Sequence, residues 1–416
     1  MREQKKSVLI VGAGASGLTA ALTAARGGCG VTLVDRNQRP GRKLSATGNG
    51  KCNFTNAAMH PDDYHGDSPE VIRQVIGGFG TREAVALFRS IGIEPVEKNG
   101  YYYPASMQAS SVCQAFRMEL DRAGVRWITE TAAVRAERRG KKFFLTLRGK
   151  DGAERMETAD ALILSCGSPA GVSVPGKEKP VTGYDLARQL GHHIEPVRPA
   201  LCGLHCADFP REWTGVRQQG RITLRAETGE SLSETGELQL TEYGISGIPA
   251  FQVSRLASLA CSEGKKVTAV LNFCPDLSRE ELLAFLEDRR RRFPSRTASE
   301  LLCGIFPAKL IAGLCHRAGF SGEEVPAGAG QLERLAGEIR HTQVRVTGTN
   351  PLSQAQCAAG GILLSEMDPA SMQSRLMPGL FVTGEMLNAD GICGGYNLQW
   401  AWATGVLAGR AVRGKQ

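Results

Sequence analysis

The stretch SVLIV at residues 7–11, followed by Gly12-x-Gly14-x-x-Gly17 and then LTAALTAARGG, constrains the fold of this chain more than any other feature. An unbroken apolar run suits a strand buried on both faces of a parallel sheet. The alanine-rich run suits a helix lying close on that strand. In such a strand–turn–helix unit Gly12 permits the sharp turn, Gly14 lets a diphosphate approach the backbone, and Gly17 lets helix and strand pack closely. The N–H groups at the helix start, around Ala15 and Ser16, carry about half a positive charge and suit that diphosphate. GVTLVD at 30–35 reads as a second strand ending in Asp35, 21 residues beyond Gly14. An acid there accepts hydrogen bonds from an adenosine ribose and argues against a 2′-phosphate, although Arg36 follows it.

The other end of the chain repeats the device. GLFVTGE reads as a strand ending at Gly384–Glu385; Asn388, Asp390 and Gly391 follow, then Gly394-Gly395-Tyr396-Asn397-Leu398 leads into the apolar helix LQWAWATGVLAG. Gly394 and Gly395 keep side chains away from a flat ring. The helix start favours the negative charge of a reduced flavin around N1 and C2=O. Glu385 and Asp390 are placed to accept hydrogen bonds from ribityl hydroxyls. The two turns are therefore read as opposite ends of one FAD site. A capped core helix would explain Trp400 and Trp402, but not the glycine pair and acids before it.

At 416 residues the chain is too long for one core, so two or three domains are expected. No apolar run reaches the about 18–20 residues of a membrane helix. The basic start imitates a secretory signal but reads better as strand–turn–helix, so the cytoplasm is the expected compartment. The 12 cysteines form no regular framework and include no CxxC pair, which points to reduced thiols and away from a disulfide reductase. Cys202, His205 and Cys206 lack the paired spacing of a zinc site, and no metal is expected. Net charge is +8. The run Arg289–Arg292 follows SREELLAFLED and reads as a basic helix end, where cations suit the dipole. No aromatic residues interleave with it, so nucleic acid is not the expected partner.

RPGRKLSATGNGKCNFTN at 39–56 bears cations at Arg42, Lys43 and Lys51 and reads as a loop. Simple αβ connections run about 2–6 residues, so this one is long enough to wrap a phosphate and a ring. NGYYYPAS at 99–106 reads as an edge strand of alternating exposure, with a lining for a flat apolar substrate as the sharper reading.

Four stretches, GAGASGLTAA, GRKLSATGNGKCNFTN, GELQLTEYGISGIPAFQVS and MPGLFVTGEMLNADGICGGYNLQWAWATGVLAG, together resemble the family of FAD-dependent flavoproteins that includes aminoacetone oxidase and the bile-acid-pathway flavoprotein BaiN. The match runs through the whole chain in order. The resemblance implies that Arg42, Lys43, Asn49, Cys52 and Asn53 lie along the pyrophosphate, ribityl chain and flavin. It implies that the backbone at Ala133–Val134 faces the adenine, that Cys166 and Gly167 sit near the phosphates, and that Tyr243 and Ser246 border the flavin cleft. The family usually has an aliphatic pair and further glycines where this chain has Ser45, Ala46 and Asn49, an arginine at Lys51, and Pro-Thr at Ile392–Cys393.

The fold expected is α/β: a Rossmann-type, glutathione-reductase-like FAD-binding domain (1–192 with 353–416) carrying an inserted β-barrel-like domain (193–275 with 326–352) and a small helical subdomain (276–325). No second G-x-G-x-x-G-plus-acid unit follows, so NADH or NADPH, if it is the reductant, visits the flavin transiently through a substrate cleft between cofactor domain and insert. His192, His193, His205, His316 and His341 are too widely spread to form a catalytic pair, and no catalytic residue is assigned. The function expected is an FAD-dependent reductase of a small apolar or steroid-like substrate, such as a bile-acid intermediate. An amine oxidase of the aminoacetone-oxidase type is the alternative, and a tRNA-modifying flavoprotein the third reading.

Overall fold

Every residue of β1 (Ser7–Val11) after the first is buried, as an apolar run flanked by parallel neighbours must be. It pairs in parallel with β2 (Gly30–Val34) on one side and β4 (Ala161–Leu164) on the other. β3 (Arg126–Ile128) and β5 (Leu380–Val382) complete a five-stranded sheet of order β5-β4-β1-β2-β3. The computed structural model describes residues 5–171, 181–321, 324–326 and 328–414. Two units separate: residues 1–198 with 357–416, and residues 199–356. No helix among the described residues is long and apolar enough to cross a membrane.

In the first unit α1 (Ala15–Arg26) crosses from β1 to β2 and packs along α5 (Tyr396–Ala411). Small residues set how closely these helices approach. A Cβ on Gly405 would lie 2.6 Å from the Ser16 carbonyl oxygen, and one on Gly409 would lie 2.6 Å from Thr23 Cβ and 2.7 Å from the Ala20 oxygen. The polar groups of α5 tie it to three further segments. Trp402 Nε1 donates to the Phe54 carbonyl at 2.9 Å, Trp400 Nε1 to that of Gly384 at 3.2 Å, and the Gln399 amide links Thr55 Oγ1 to the Phe79 carbonyl.

Residues 126–139 form two strands. Glu130 takes a left-handed φ of 54° and the chain turns there, so β3 joins the parallel sheet while Thr131–Arg139 starts an antiparallel meander with Lys142–Gly149 and Glu154–Ala159. The basic segment read wholly as a loop contains α2 (Arg42–Gly50). It follows the left-handed Gly41, uses the helix formers Arg42 to Ala46, and is broken at Thr47, Gly48 and Asn49, whose dihedrals are not helical.

The second unit is a closed antiparallel barrel in the order 204–207, 244–246, 231–241, 217–226, 267–272, 342–349. The strand Arg217–Ala226 alternates buried and open residues along most of its length, the period-2 pattern of a sheet with one wet face. The apolar helix α3 (Ile248–Ser262) packs against all six strands. α4 (Arg279–Arg292) and two shorter helices follow. Residues 329–341, expected within the β-rich part, form a further helix. Leu332, Leu335, Ala336 and Ile339 give it one buried stripe at spacings of three and four.

At an exposed helix position Gly→Ala stabilises by about 1 kcal/mol; G409A is expected to reverse that sign and lower stability by about 1–3 kcal/mol, read from the urea midpoint, because the new methyl meets α1. Asp160 accepts from Ser7 N and Oγ at 2.9 and 2.6 Å and pairs with Lys142 at 2.8 Å. These contacts, Lys142 first, hold its carboxyl down at about 2. The stabilisation is therefore complete above the unfolded carboxylate value near about 3.9 and lost as pH falls toward about 2. D160N is expected to flatten that acid limb in pH-dependent unfolding.

Candidate functional site

The three glycines of the first turn do different work. A Cβ on Gly12 would lie 2.3 Å from the Ser165 oxygen and one on Gly17 1.8 Å from the Gly12 oxygen, so both are needed for β1, α1 and β4 to pack. A Cβ on Gly14 would meet nothing within 4 Å. Gly14 is also the N-cap of α1, which has no side-chain cap and no acidic residue in its first turn. The middle glycine thus faces open space beside uncapped N–H groups, the arrangement an anion requires.

Asp35 ties this turn to the end of β2. Its Oδ2 accepts from Ala13 N at 2.6 Å, and its Oδ1 from Asn37 N and Nδ2 at 2.7 and 2.9 Å. A cleft opens here, walled by Val11, Gly12, Val34, Asp35, Arg36 and Asn37 together with Thr131, Ala132, Ala133, Cys166, Val181, Thr182, Gly183 and Leu186. Of the residues singled out from sequence, Gly12, Asp35, Arg36, Ala133 and Cys166 are brought together in it; Val134 is not among its walls. Asn37, Thr131, Ala132, Thr182, Gly183 and Leu186 were missed. Part of that wall is legible in principle: Thr182 and Asp185 form a reciprocal capping box, the T-x-x-D signature of a helix start. Burial pushes the Cys166 thiol up to about 12, so it sits there as a neutral group.

α2 reaches the turn that follows β5 through Lys43, whose Nζ lies 2.6 Å from Glu385 Oε2. The other Glu385 oxygen accepts from Ala358 N at 3.1 Å, and the Tyr184 hydroxyl donates to the Glu385 carbonyl. Gly384 is held by Thr404 of α5, and a Cβ there would lie 2.5 Å from Ser16 Oγ. Residues 384–385 therefore touch the start of α1, the basic loop and α5 together. Arg42 and Asn49 are exposed and Asn53 half-buried. Cys52 is fully buried at a left-handed φ of 60°, its thiol pushed up to about 12 by burial. Gly167 has open space where a Cβ would stand.

The terminal turn is enclosed by protein on several sides. A Cβ on Gly391 would lie 2.7 Å from Tyr396 Cβ and 2.9 Å from the Tyr64 ring, one on Gly394 2.7 Å from Tyr101 Cε1, and one on Gly395 2.8 Å from the Thr55 carbonyl. These glycines admit neighbouring protein, where the sequence reading gave 394 and 395 a role in ligand approach alone. Asn397 closes the turn: its Oδ1 accepts from Gly391 N at 3.0 Å and its Nδ2 donates to Gly391 O at 2.8 Å. Gly395 caps α5 in a left-handed conformation, again with no side-chain cap and no acid in the first turn. Asp390 and Tyr396 are buried and Leu398 half-buried around it.

Two histidine clusters escaped the sequence reading. Glu366 accepts from His192 Nδ1 at 2.6 Å and His193 Nδ1 at 2.5 Å. In the second unit His205 Nε2 meets Asn350 Oδ1 at 2.8 Å, and its ring stacks on Tyr243 with centroids 4.9 Å apart. The arginine run of α4 is engaged locally: Arg289 donates to the carbonyls of Leu301 and Cys303, and Arg292 pairs with Asp288 at 2.7 Å.

The chain is 40% identical to a 3-dehydro-bile acid delta(4,6)-reductase of Clostridium scindens over 410 residues, 97% of this chain and 98% of the relative. It is 27% identical to a ribosomal RNA dihydrouridine synthase of Escherichia coli, with 96% of each chain covered. A solved 3-ketosteroid-delta4-(5alpha)-dehydrogenase from Rhodococcus jostii shares the fold at a TM-score of 0.51 and 14% identity, covering 99% of this chain and 98% of its own. A family model described as the HI0933-like protein Rossmann domain matches residues 6–411, and the chain belongs to that family.

Proposed function

We propose that this FAD-dependent oxidoreductase reduces a carbon–carbon double bond conjugated to a carbonyl, in a flat apolar substrate of the unsaturated 3-oxo steroid or bile-acid type. The observation that carries the reading is 40% identity, sustained over 97% of the chain, to a 3-dehydro-bile acid delta(4,6)-reductase. The residues present fit the cofactor: the Gly14 opening and the uncapped start of α1 suit its diphosphate, and the cleft beside Asp35 suits its adenosine.

The chemistry that FAD supplies when bound is hydride transfer to the electron-poor carbon of the enone. This chain's residues bind and orient. Ala15, Ser16 and Gly17 would present N–H groups to the diphosphate, with Cys166 and Gly167 near it, while Asp35, Arg36 and Ala133 would line the adenosine end. Arg42, Lys43, Asn49, Cys52 and Asn53 follow the middle of the cofactor. Gly384, Glu385, Asp390 and Gly394 through Leu398 hold the ring end, with the α5 start offering partial positive charge to a reduced ring. NADH or NADPH serves as a transient reductant.

A second reading has its own support. The dihydrouridine synthases match at 27% and 26% over nearly the whole chain, and dihydrouridine is likewise the product of reducing a double bond conjugated to a carbonyl. Both readings share one reaction type and differ in whether the acceptor is free or part of RNA. No amine oxidase is among the relatives described above.

The deciding experiment is anaerobic. The yellow holoprotein, reduced with NADH or NADPH, is expected to reoxidise on adding a 3-oxo steroid with 4,6-unsaturation, one double bond being reduced for each flavin reoxidised. Reoxidation by ribosomal RNA alone, with binding that weakens steeply with salt, selects the second reading; peroxide released from a primary amine in air, with enones inert, overturns both. A steric prediction checks the cofactor placement. G14V is expected to fold with an unchanged circular dichroism spectrum, since its Cβ meets no protein atom, yet to bind FAD about 100-fold more weakly by fluorescence titration, about 2.7 kcal/mol.

A further inference from the structure

The tyrosine strand Tyr101–Pro104 lies between Thr55–Asn56 and Pro95–Lys98 in a small antiparallel sheet. Alternation along it sends Tyr102 inward, its ring centroid 6.2 Å from that of Phe54, and leaves Tyr101 and Tyr103 on the opposite face. The register sets Asn56 opposite Tyr101. Asn56 Nδ2 donates to the Gly394 carbonyl at 3.0 Å, and a Cβ on Gly394 would strike Tyr101 at 2.7 Å from Cε1. The Tyr101 ring is therefore pressed against the glycine turn that opens α5, although nearly 300 residues of chain separate them.

Tyr101 is 37% exposed, and among the described residues of this unit it is the one exposed Phe, Tyr or Trp. Every other such ring there is more covered than this one. Three observations converge on one place: an aromatic ring left open to solvent, a strand that fixes its direction through pairing on both edges, and contact with the turn assigned above to the ring end of the cofactor.

We infer that Tyr101 is a specificity-determining contact, the aromatic wall against which a flat, apolar substrate lies. The inference rests on the function proposed above and deepens it. A fused-ring enone offers a planar conjugated segment and an apolar skeleton, and an open aromatic face rewards both through burial and stacking. Tyr103 and Asn56 border the same face. Burial, with Tyr101 adding to it, pushes the Tyr103 phenol up, and burial with nearby Asp63 raises that of Tyr396 to about 12. Both phenols therefore stay neutral across the working pH range.

The test uses the oxidised holoenzyme and an equilibrium readout independent of turnover. Titrating the wild type with 4-androstene-3,17-dione as an unreacted probe is expected to perturb the bound flavin's visible spectrum, giving a Kd. Y101A is expected to retain its FAD and raise that Kd about 10-fold. KM for the 4,6-unsaturated substrate should rise in parallel, and kcat should change far less. Y101F and Y101W are expected to recover most of the lost affinity. An unchanged Kd in Y101A, or a loss in Y101F equal to that in Y101A, overturns the inference while leaving the function standing. A wild type that neither binds nor reduces any enone steroid overturns the function and the inference with it.

Discussion

The contact between α1 and α5 is the constraint on which the rest of the first unit depends. These helices come from opposite ends of the chain and meet through backbone, with Gly405 against the Ser16 carbonyl and Gly409 against Ala20 and Thr23. Because their axes approach so closely, the start of α1 lies beside Gly384, and the turn before α5 comes to the strands after the basic loop. Moving either helix outward by the width of a methyl group would part the start of α1 from residues 384–385. Packing of the second half of α5 along α1 therefore fixes where the start of α1 lies.

That dependence explains which glycines serve the fold and which leave room. In the first turn two are filled by protein and one is open; in the last turn Gly391, Gly394 and Gly395 are all filled. The chemical contribution of the last turn comes from its uncapped N–H groups and from the side chains that its glycines draw close. The second unit solves a different problem. Its barrel is small, and α3 covers apolar residues from every strand, so its interior is a packed core. Its basic run mostly satisfies carbonyls and an aspartate nearby.

What could be read from the sequence was local. The strand, turn and helix at residues 7–26 follow from apolar continuity and glycine spacing, and the barrel strands from period-2 alternation between turns. The terminal turn was legible because glycines, acids and an apolar helix stand together. The rest needed long-range contacts. Nothing near Tyr101 in the chain announces Gly394, and nothing near His192 or His193 announces Glu366. The helix at 329–341 did carry its own signal, a stripe at spacings of three and four, beneath the expectation that a barrel return strand was near. α2 was hidden by the break at Thr47, Gly48 and Asn49 after its first turn and a half.

The pairing of Asn397 with Gly391 has a consequence for how such a turn can vary. A side-chain amide there plays the part of a neighbouring peptide, giving and taking one hydrogen bond with the same residue. The helix thus fastens its own preceding turn, and the two form one rigid hook. Within that hook Gly391, Gly394 and Gly395 are pinned by their neighbours, so differences in local polarity between one such chain and another are channelled into the two intervening side chains, here Ile392 and Cys393.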